Sequence, residues 1–195
     1  PQNKDTKKYL SELKVNKIKN LGNLKLIENT HDKRDDIDNK LNIQFQKYKT
    51  WIAASTHTNE EVFCAKAHIN LKKKNKKLIT IIIPRHIHRV QDIISKIKNL
   101  NLKVATHSSK VKTLKDIDIY IVDTFGDSNK FFKISNTVLM GKFLVSKGSQ
   151  NPLEAARYGA KILHGPNIDN FKDVFKLLES LKISKKITSI RQLIT

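Results

Sequence analysis

From Trp51 onward the chain alternates between unbroken apolar runs and amphipathic stretches. The runs are WIAAS (Trp51 to Ser55), LITIII (Leu78 to Ile83), a short VAT at Val104 to Thr106, IDIYIVD (Ile117 to Asp123), TVLMG and KIL (Lys161 to Leu163). A β-branched run without polar interruption fits a strand covered on both faces, as in a parallel sheet. After the first run, Thr58 reads as the N-cap of a helix through VFCAKAHINLKKK. Glu60 and Glu61 suit the positive end of its dipole and the lysine cluster suits the negative end. Further helices are predicted up to about Leu100, over Asn129 to Lys133, from Asn151, and from about Asn170 to Leu181. Strand-helix-strand alternation implies right-handed crossovers, and so a Rossmann-like, doubly wound α/β domain.

The texture differs before residue 47. Pro1 to about Ile27 holds a Lys-rich helical pattern (Tyr9, Leu10, Leu13) and then the strand-like LGNLKLI, whereas NTHDKRDDIDNK, Asn29 to Lys40, is polar, charged and aperiodic. The pattern predicts a first segment over 1–28, a linker over 29–46 and the α/β domain over 47–195.

Charge narrows the function classes. A formal net charge of +20 draws phosphate-rich partners over a Debye length of roughly 8–10 Å, so nucleic acid and anionic membrane surfaces both qualify. Nucleic-acid readers add bidentate arginines or aromatic stacking platforms to a lysine background. Here the arginines are Arg34, Arg85, Arg89, Arg157 and Arg191 alone, and aromatics make up 7%, which argues against a sequence-specific reader. The single Cys64 excludes disulfides and cysteine-based metal sites. No run approaches the roughly 20 apolar residues that span a bilayer, and PQNKDTKKYL carries no apolar signal region. The expectation is a cytosolic chain with lysines to spare for an anionic leaflet.

Ligands of open parallel sheets bind beyond the carboxyl ends of the strands. Four polar clusters fall at such ends: Ser55-Thr56-His57, Pro84-Arg85-His86, Asp123-Thr124-Phe125-Gly126-Asp127, and Gly148 to Glu154. Arg85, following a proline that stops its strand, can make a two-pronged contact to phosphate or an ordinary surface salt bridge. His57 can act as a base, cap the next helix or bond a phosphate. His86 and His88, an H-x-H without a nearby cysteine or acid, form a weak metal pattern. Gly126 permits close backbone approach, and Asp127 either caps the next turn or touches a ligand. Asn151, Pro152 and Glu154 read as a capped helix start, with Asn as N-cap and Pro first. A helix start is also an anion site, which leaves Glu154 for a different part of a ligand, most simply a ribose diol.

Taken in order, six pieces of the chain resemble the bacterial 3-deoxy-D-manno-octulosonic acid (Kdo) transferases: GNLK (Gly22 to Lys25), WIAASTH (Trp51 to His57), PRH (Pro84 to His86), DTFGD (Asp123 to Asp127), NPLEAARYG (Asn151 to Gly159) and HGPNIDNF (His164 to Phe171). That family moves Kdo from CMP-Kdo onto lipid A precursor in lipopolysaccharide biosynthesis. It has two Rossmann-like domains in the GT-B arrangement, and the resemblance covers its C-terminal, donor-binding half. It implies that residues 1–28 match the end of the N-terminal acceptor domain and that 47–195 form the CMP-Kdo-binding domain. Pro84, Arg85, Phe125, Gly126, Asp127, Asn151, Pro152, Leu153 and Glu154 would then contact CMP, with Ser55, His57 and His86 near the donor. Lys25 matches a lysine that stabilises charge in the transition state. The leaving CMP gains phosphate charge, which a cationic cradle can meet without a metal, so neither metal nor other cofactor is implied. A peripheral place on the cytoplasmic face of the inner membrane is implied too.

The family's general base is a glutamate of the N-terminal half, and no residue here inherits that role. The resemblance is compatible with a split enzyme whose other half is separately encoded, an excised domain, or the product of a decaying gene. A non-catalytic nucleotide-binding or assembly module stays open beside the enzyme, as does a basic nucleic-acid-binding domain. Three positions depart from the family pattern: Asp127 stands for its usual Glu, Gln150 for its His, and Gly141-Lys142-Phe143 for its Gly-Gly-Ser.

Overall fold

β1 (Lys49–Thr56) and β2 (Leu78–Pro84) lie at the centre of a seven-stranded sheet. The computed structural model describes residues 4–19, 36–144 and 148–194. The remaining strands are β3 (Val104–Thr106), β4 (Ile119–Ile121), β5 (Thr137–Met140), β6 (Lys161–His164) and β7 (Ser184–Lys186), in the order β3-β4-β2-β1-β5-β6-β7. Every pairing is parallel. β2 was expected to be covered on both faces, and all seven of its residues are buried. Chain order reverses between β1 and β5. A sheet of this kind opens its ligand crevice at that point.

The two faces take alternate residues of each strand, as the period of two requires. Ile79, Ile81 and Ile83 join a core with Phe45, Phe131, Leu153 and Phe175, which come from α2 (Asn39–Phe45), α5 (Ser128–Phe132), α6 (Leu153–Arg157) and α7 (Lys172–Ser180). Leu78 and Ile82 face the other way. They pack with Cys64 and Ala67 of α3 (Glu60–Lys74), Ile93 and Ile97 of α4 (Val90–Lys98), and α8 (Ile190–Leu193). Burial pushes the Cys64 thiol well above its ordinary pKa, so it serves as a small apolar filler.

Beneath α3, at the amino end of the sheet, His68 Nδ1 contacts Thr80 Oγ1 at 2.9 Å and its Nε2 lies 3.4 Å from Asp118. The Lys72 ammonium and the Lys103 N–H donate to the same carboxylate. This polar network fastens α3 to β2 and to the start of β4.

The chain divides into two units, 1–32 and 33–195. In the first, α1 (Lys4–Glu12) is the helix expected around Tyr9 and Leu10. The expected strand at LGNLKLI, with Lys25, lies outside the described residues. The stretch expected to be a linker, 29–46, differs at its end. α2 is a folded helix whose Asp38 N-cap accepts from the Lys40 and Leu41 N–H groups at 3.0 and 3.2 Å. Ile37, Leu41 and Phe45 recur at the helical spacing and pack into the sheet core, with Phe45 edge-on to Tyr120 at 5.2 Å. Three apolar positions among many charges were too sparse to stand out as a pattern. β7 and α8 were not anticipated either, because SKK and IRQL are too short for a period to show.

Candidate functional site

The four polar clusters follow β4, β2, β1 and β5, which are consecutive in the sheet although scattered in sequence. At about 4.8 Å between strands, three gaps give an edge about 14 Å long. Side chains bridge these loops. His57, after β1, stacks edge-on with His86, after β2, at 5.9 Å. Its Nε2 lies 3.1 Å from the Gln150 amide nitrogen of the β5–α6 loop.

The end of β1 is strained. Ser55 adopts φ 54°, left-handed backbone, where the register with β2 slips by one residue. Gly141, after β5, must accommodate this bulge, because a Cβ there would stand 2.0 Å from the Ser55 carbonyl oxygen. No side chain fits at that crossing.

Glu60 and Glu61 occupy the first turn of α3, as the sequence suggests, but they are buried there, and Thr58 does not cap the helix. The cap position is Asn59 at φ 72°, with no side-chain cap bond. The Glu60 carboxylate, 0% exposed, accepts the N–H groups of His57 at 2.8 Å and of Lys142 and Leu144 at 3.0 Å each. Burial raises its pKa above the ordinary glutamate value, against the lowering effect of those three bonds. Glu61 accepts from Thr56 Oγ1 at 2.9 Å and from the Arg89 guanidinium at 3.1 Å. Glu60 therefore binds the β1 turn to the loop after β5, and Glu61 binds the end of β1 to Arg89 ahead of α4. Sequence reasoning saw only helix-favouring acids, since nothing local marks a glutamate as buried.

Arg85 projects from the end of β2 with its guanidinium exposed, bonded to no other described residue, while its N–H is held by the Thr56 carbonyl at 3.0 Å. Pro84 is buried. Its role is to end the strand and turn Arg85 outward. Phe125 is 81% exposed, and Gly126 beside it adopts φ +81° with open space around a notional Cβ. The left-handed backbone alone calls for glycine there. Asp127 stands at the cap position of α5 but makes no side-chain cap bond. Its carboxylate accepts from Thr124 Oγ1 at 2.5 Å and pairs with Lys130 at 2.6 Å, with His107 3.9 Å away. Partial burial would raise its pKa, but the Lys130 and Thr124 bonds and the Lys130 charge outweigh that and hold it low. It remains a carboxylate at neutral pH.

At the opening helix of the last cluster, α6 has five residues and starts at Leu153, one later than the sequence suggests, with Pro152 at the cap position. Asn151 Oδ1 accepts the Leu153 N–H at 3.2 Å. Pro152 and Leu153 are buried, and only their main chain is available to a ligand; Glu154 is exposed. Asn170, from HGPNIDNF, fixes the preceding loop by accepting the Ser149 N–H at 2.6 Å and donating to the Ser149 carbonyl at 2.7 Å.

His57 sits among the charges of this edge. Burial lowers its pKa first, then the charges of Lys142, His86 and Arg89, against the raising effect of Glu61. It is neutral at pH 7. Among the described residues no three His, Cys, Asp or Glu side chains cluster as metal ligands, and no helix is long and apolar enough to cross a membrane.

No family model matches the chain. It is 31% identical over 173 residues to the 3-deoxy-D-manno-octulosonic acid transferase of Rickettsia conorii, covering 89% of this chain and 37% of the relative. To the enzyme of that name from Haemophilus influenzae it is 28% identical over 163 residues, 83% of this chain and 38% of the relative. The chain thus spans less than two-fifths of the length of these curated relatives. Its fold is similar to that of the C-terminal CMP-Kdo binding domain of WaaA from Acinetobacter baumannii, at a TM-score of 0.72 and 22% identity, over 77% of this chain and 78% of that one.

Proposed function

We propose that the chain belongs with the 3-deoxy-D-manno-octulosonic acid transferases and is the part of such a glycosyltransferase that holds the CMP-Kdo donor. One observation carries this reading: loops from four consecutive strands bring Arg85, without a side-chain partner among the described residues, an exposed Phe125, the open backbone of Gly126 and the α6 start to one edge about 14 Å long. That is the span of a nucleoside monophosphate joined to a sugar.

In this reading Arg85 takes the CMP phosphate in a charge-assisted, two-pronged contact and stabilises the charge that develops as CMP leaves. Phe125 and the Gly126 backbone lie against the nucleoside, with Asp127 beside them. Glu154 accepts from the ribose hydroxyls, and the main chain of Asn151, Pro152 and Leu153 lines the same wall. Ser55, His57 and His86 face the transferred sugar. Lys25, outside the described residues, adds a second cation to the transition state, so the leaving group requires no metal. Residues 1–28 correspond to the end of the acceptor domain, and the general base comes from the rest of that domain. The acceptor is a lipid A precursor, reached at the cytoplasmic face of the inner membrane; a net charge of +20 supports contact with an anionic leaflet.

The test is calorimetry of the 195-residue chain with CMP. Weak binding is expected, lost by about ten-fold in Arg85→Ala, which removes a charge-assisted bond, and weakened in Glu154→Ala. Absence of any heat at millimolar CMP would overturn the reading.

A further inference from the structure

Lys142 follows Gly141 at the end of β5, in the crevice where the strand order reverses. Its backbone is left-handed, φ 65°, a conformation that suits glycine and strains other residues. The buried Glu60 carboxylate holds it there through the Lys142 N–H at 3.0 Å. The side chain then reaches across the crevice, and its ammonium nitrogen comes within 3.7 Å of where a Cβ on Gly148 would stand. Gly148 lies two residues before Gln150 in the loop between β5 and α6, and Gln150 touches His57.

Among the described residues no carboxylate pairs with this ammonium. The charged and titratable groups facing His57 are Lys142, His86, Arg89 and Glu61, with Glu60 on its N–H. Of the two acids, Glu61 is taken up by Arg89 and Thr56, and Glu60 by three backbone donors. The crevice is left with uncompensated positive charge beside a neutral imidazole that can accept a proton.

We propose that Lys142 and His57 form an oxyanion subsite at the β1–β5 crevice, binding a phosphate or a carboxylate of the ligand. The proposal rests on the donor-binding reading and extends it to a further cation beside Arg85 and Lys25, supplied by a lysine at a position where a glycine would be unstrained. Both ligand oxyanions have the same chemistry. Either one would bond the ammonium and draw a proton onto His57.

The His57 ring C–H signal of the 195-residue chain, followed by NMR against pH, reads this directly, with inorganic phosphate, CMP, cytidine and free Kdo as probes. Phosphate and CMP are expected to raise the His57 pKa. Lys142→Met is expected to weaken both by about ten-fold or more and to leave cytidine unchanged. In the ligand-free protein the same substitution should raise the His57 pKa, because a neighbouring cation is gone. Loss of affinity for free Kdo instead of CMP would assign the subsite to the sugar carboxylate. Lys142→Gly relieves the left-handed strain, so it should melt no lower than wild type and lose the anion as Lys142→Met does. If phosphate binds through Lys142 while CMP adds nothing, the nucleotide reading fails and the subsite stands. If CMP binds and neither substitution changes any probe by more than two-fold, the subsite is overturned and the nucleotide reading stands. If no anion binds at all, both fall.

Discussion

Glu60 offers the sharpest test of how this edge is held. Glu60→Ala leaves three part-buried backbone N–H groups, those of His57, Lys142 and Leu144, without their acceptor. At about 1–3 kcal/mol for each orphaned donor, the nominal cost is about 3–9 kcal/mol. Two effects reduce it: the vacated space admits water to some of the donors, and a buried carboxylate with a raised pKa no longer has to be desolvated. The low end of the range, about 3 kcal/mol, is therefore expected, or a fall in Tm of roughly 6–12 °C for a domain of this size. Glu60→Gln keeps one acceptor oxygen and should cost about half as much.

The pH dependence has a definite sign. Because burial raises the folded-state pKa of Glu60 above its unfolded value, the pH-linked part of its stabilisation is complete below the unfolded pKa and is lost as pH rises through the folded one, while the three N–H bonds remain. Guanidinium unfolding at several pH values, with amide exchange at the three donors, reads both effects. Glu60→Ala within about 0.5 kcal/mol of wild type, with the three amides still protected, would refute the reasoning.

Two further outcomes follow from the packing. Gly141→Ala sets a Cβ 2.0 Å from the Ser55 carbonyl, a backbone atom of β1 that cannot swing aside, so loss of soluble folded protein or a destabilisation above about 3 kcal/mol is expected in a thermal melt. Burial would raise the Asp118 pKa, but the bonds from Lys72 and the Lys103 N–H and the Lys72 charge hold it below its ordinary value. Its contribution is thus present above the unfolded pKa and disappears as pH falls through the folded one. In acid titrations Asp118→Asn should be less stable than wild type at pH 7 and converge with it towards pH 3; parallel curves would contradict the assignment.

The strands were legible because a parallel strand buried on both faces writes its burial directly into composition: LITIII has no other stable place in water. The clusters after WIAAS, LITIII and IDIYIVD were legible for the same reason, since each begins where an apolar run stops. α2 was not, because its Ile37, Leu41 and Phe45 become a core face only once Tyr120 and Phe131 are present to receive them.

By itself, then, the sequence determined the strands β1 to β6, that the sheet is parallel, and that polar chemistry gathers at its carboxyl ends. These are consequences of local period and of the one-way direction of βαβ crossovers. The strand order was decided only in three dimensions. It makes β4, β2, β1 and β5 neighbours and so turns four separate loops into one edge. The roles of Glu60, Gly141 and Lys142 were decided there too. Each depends on a contact between segments more than eighty residues apart, Glu60 with Lys142 and Ser55 with Gly141, and a chain read locally carries no record of what will lie across from it.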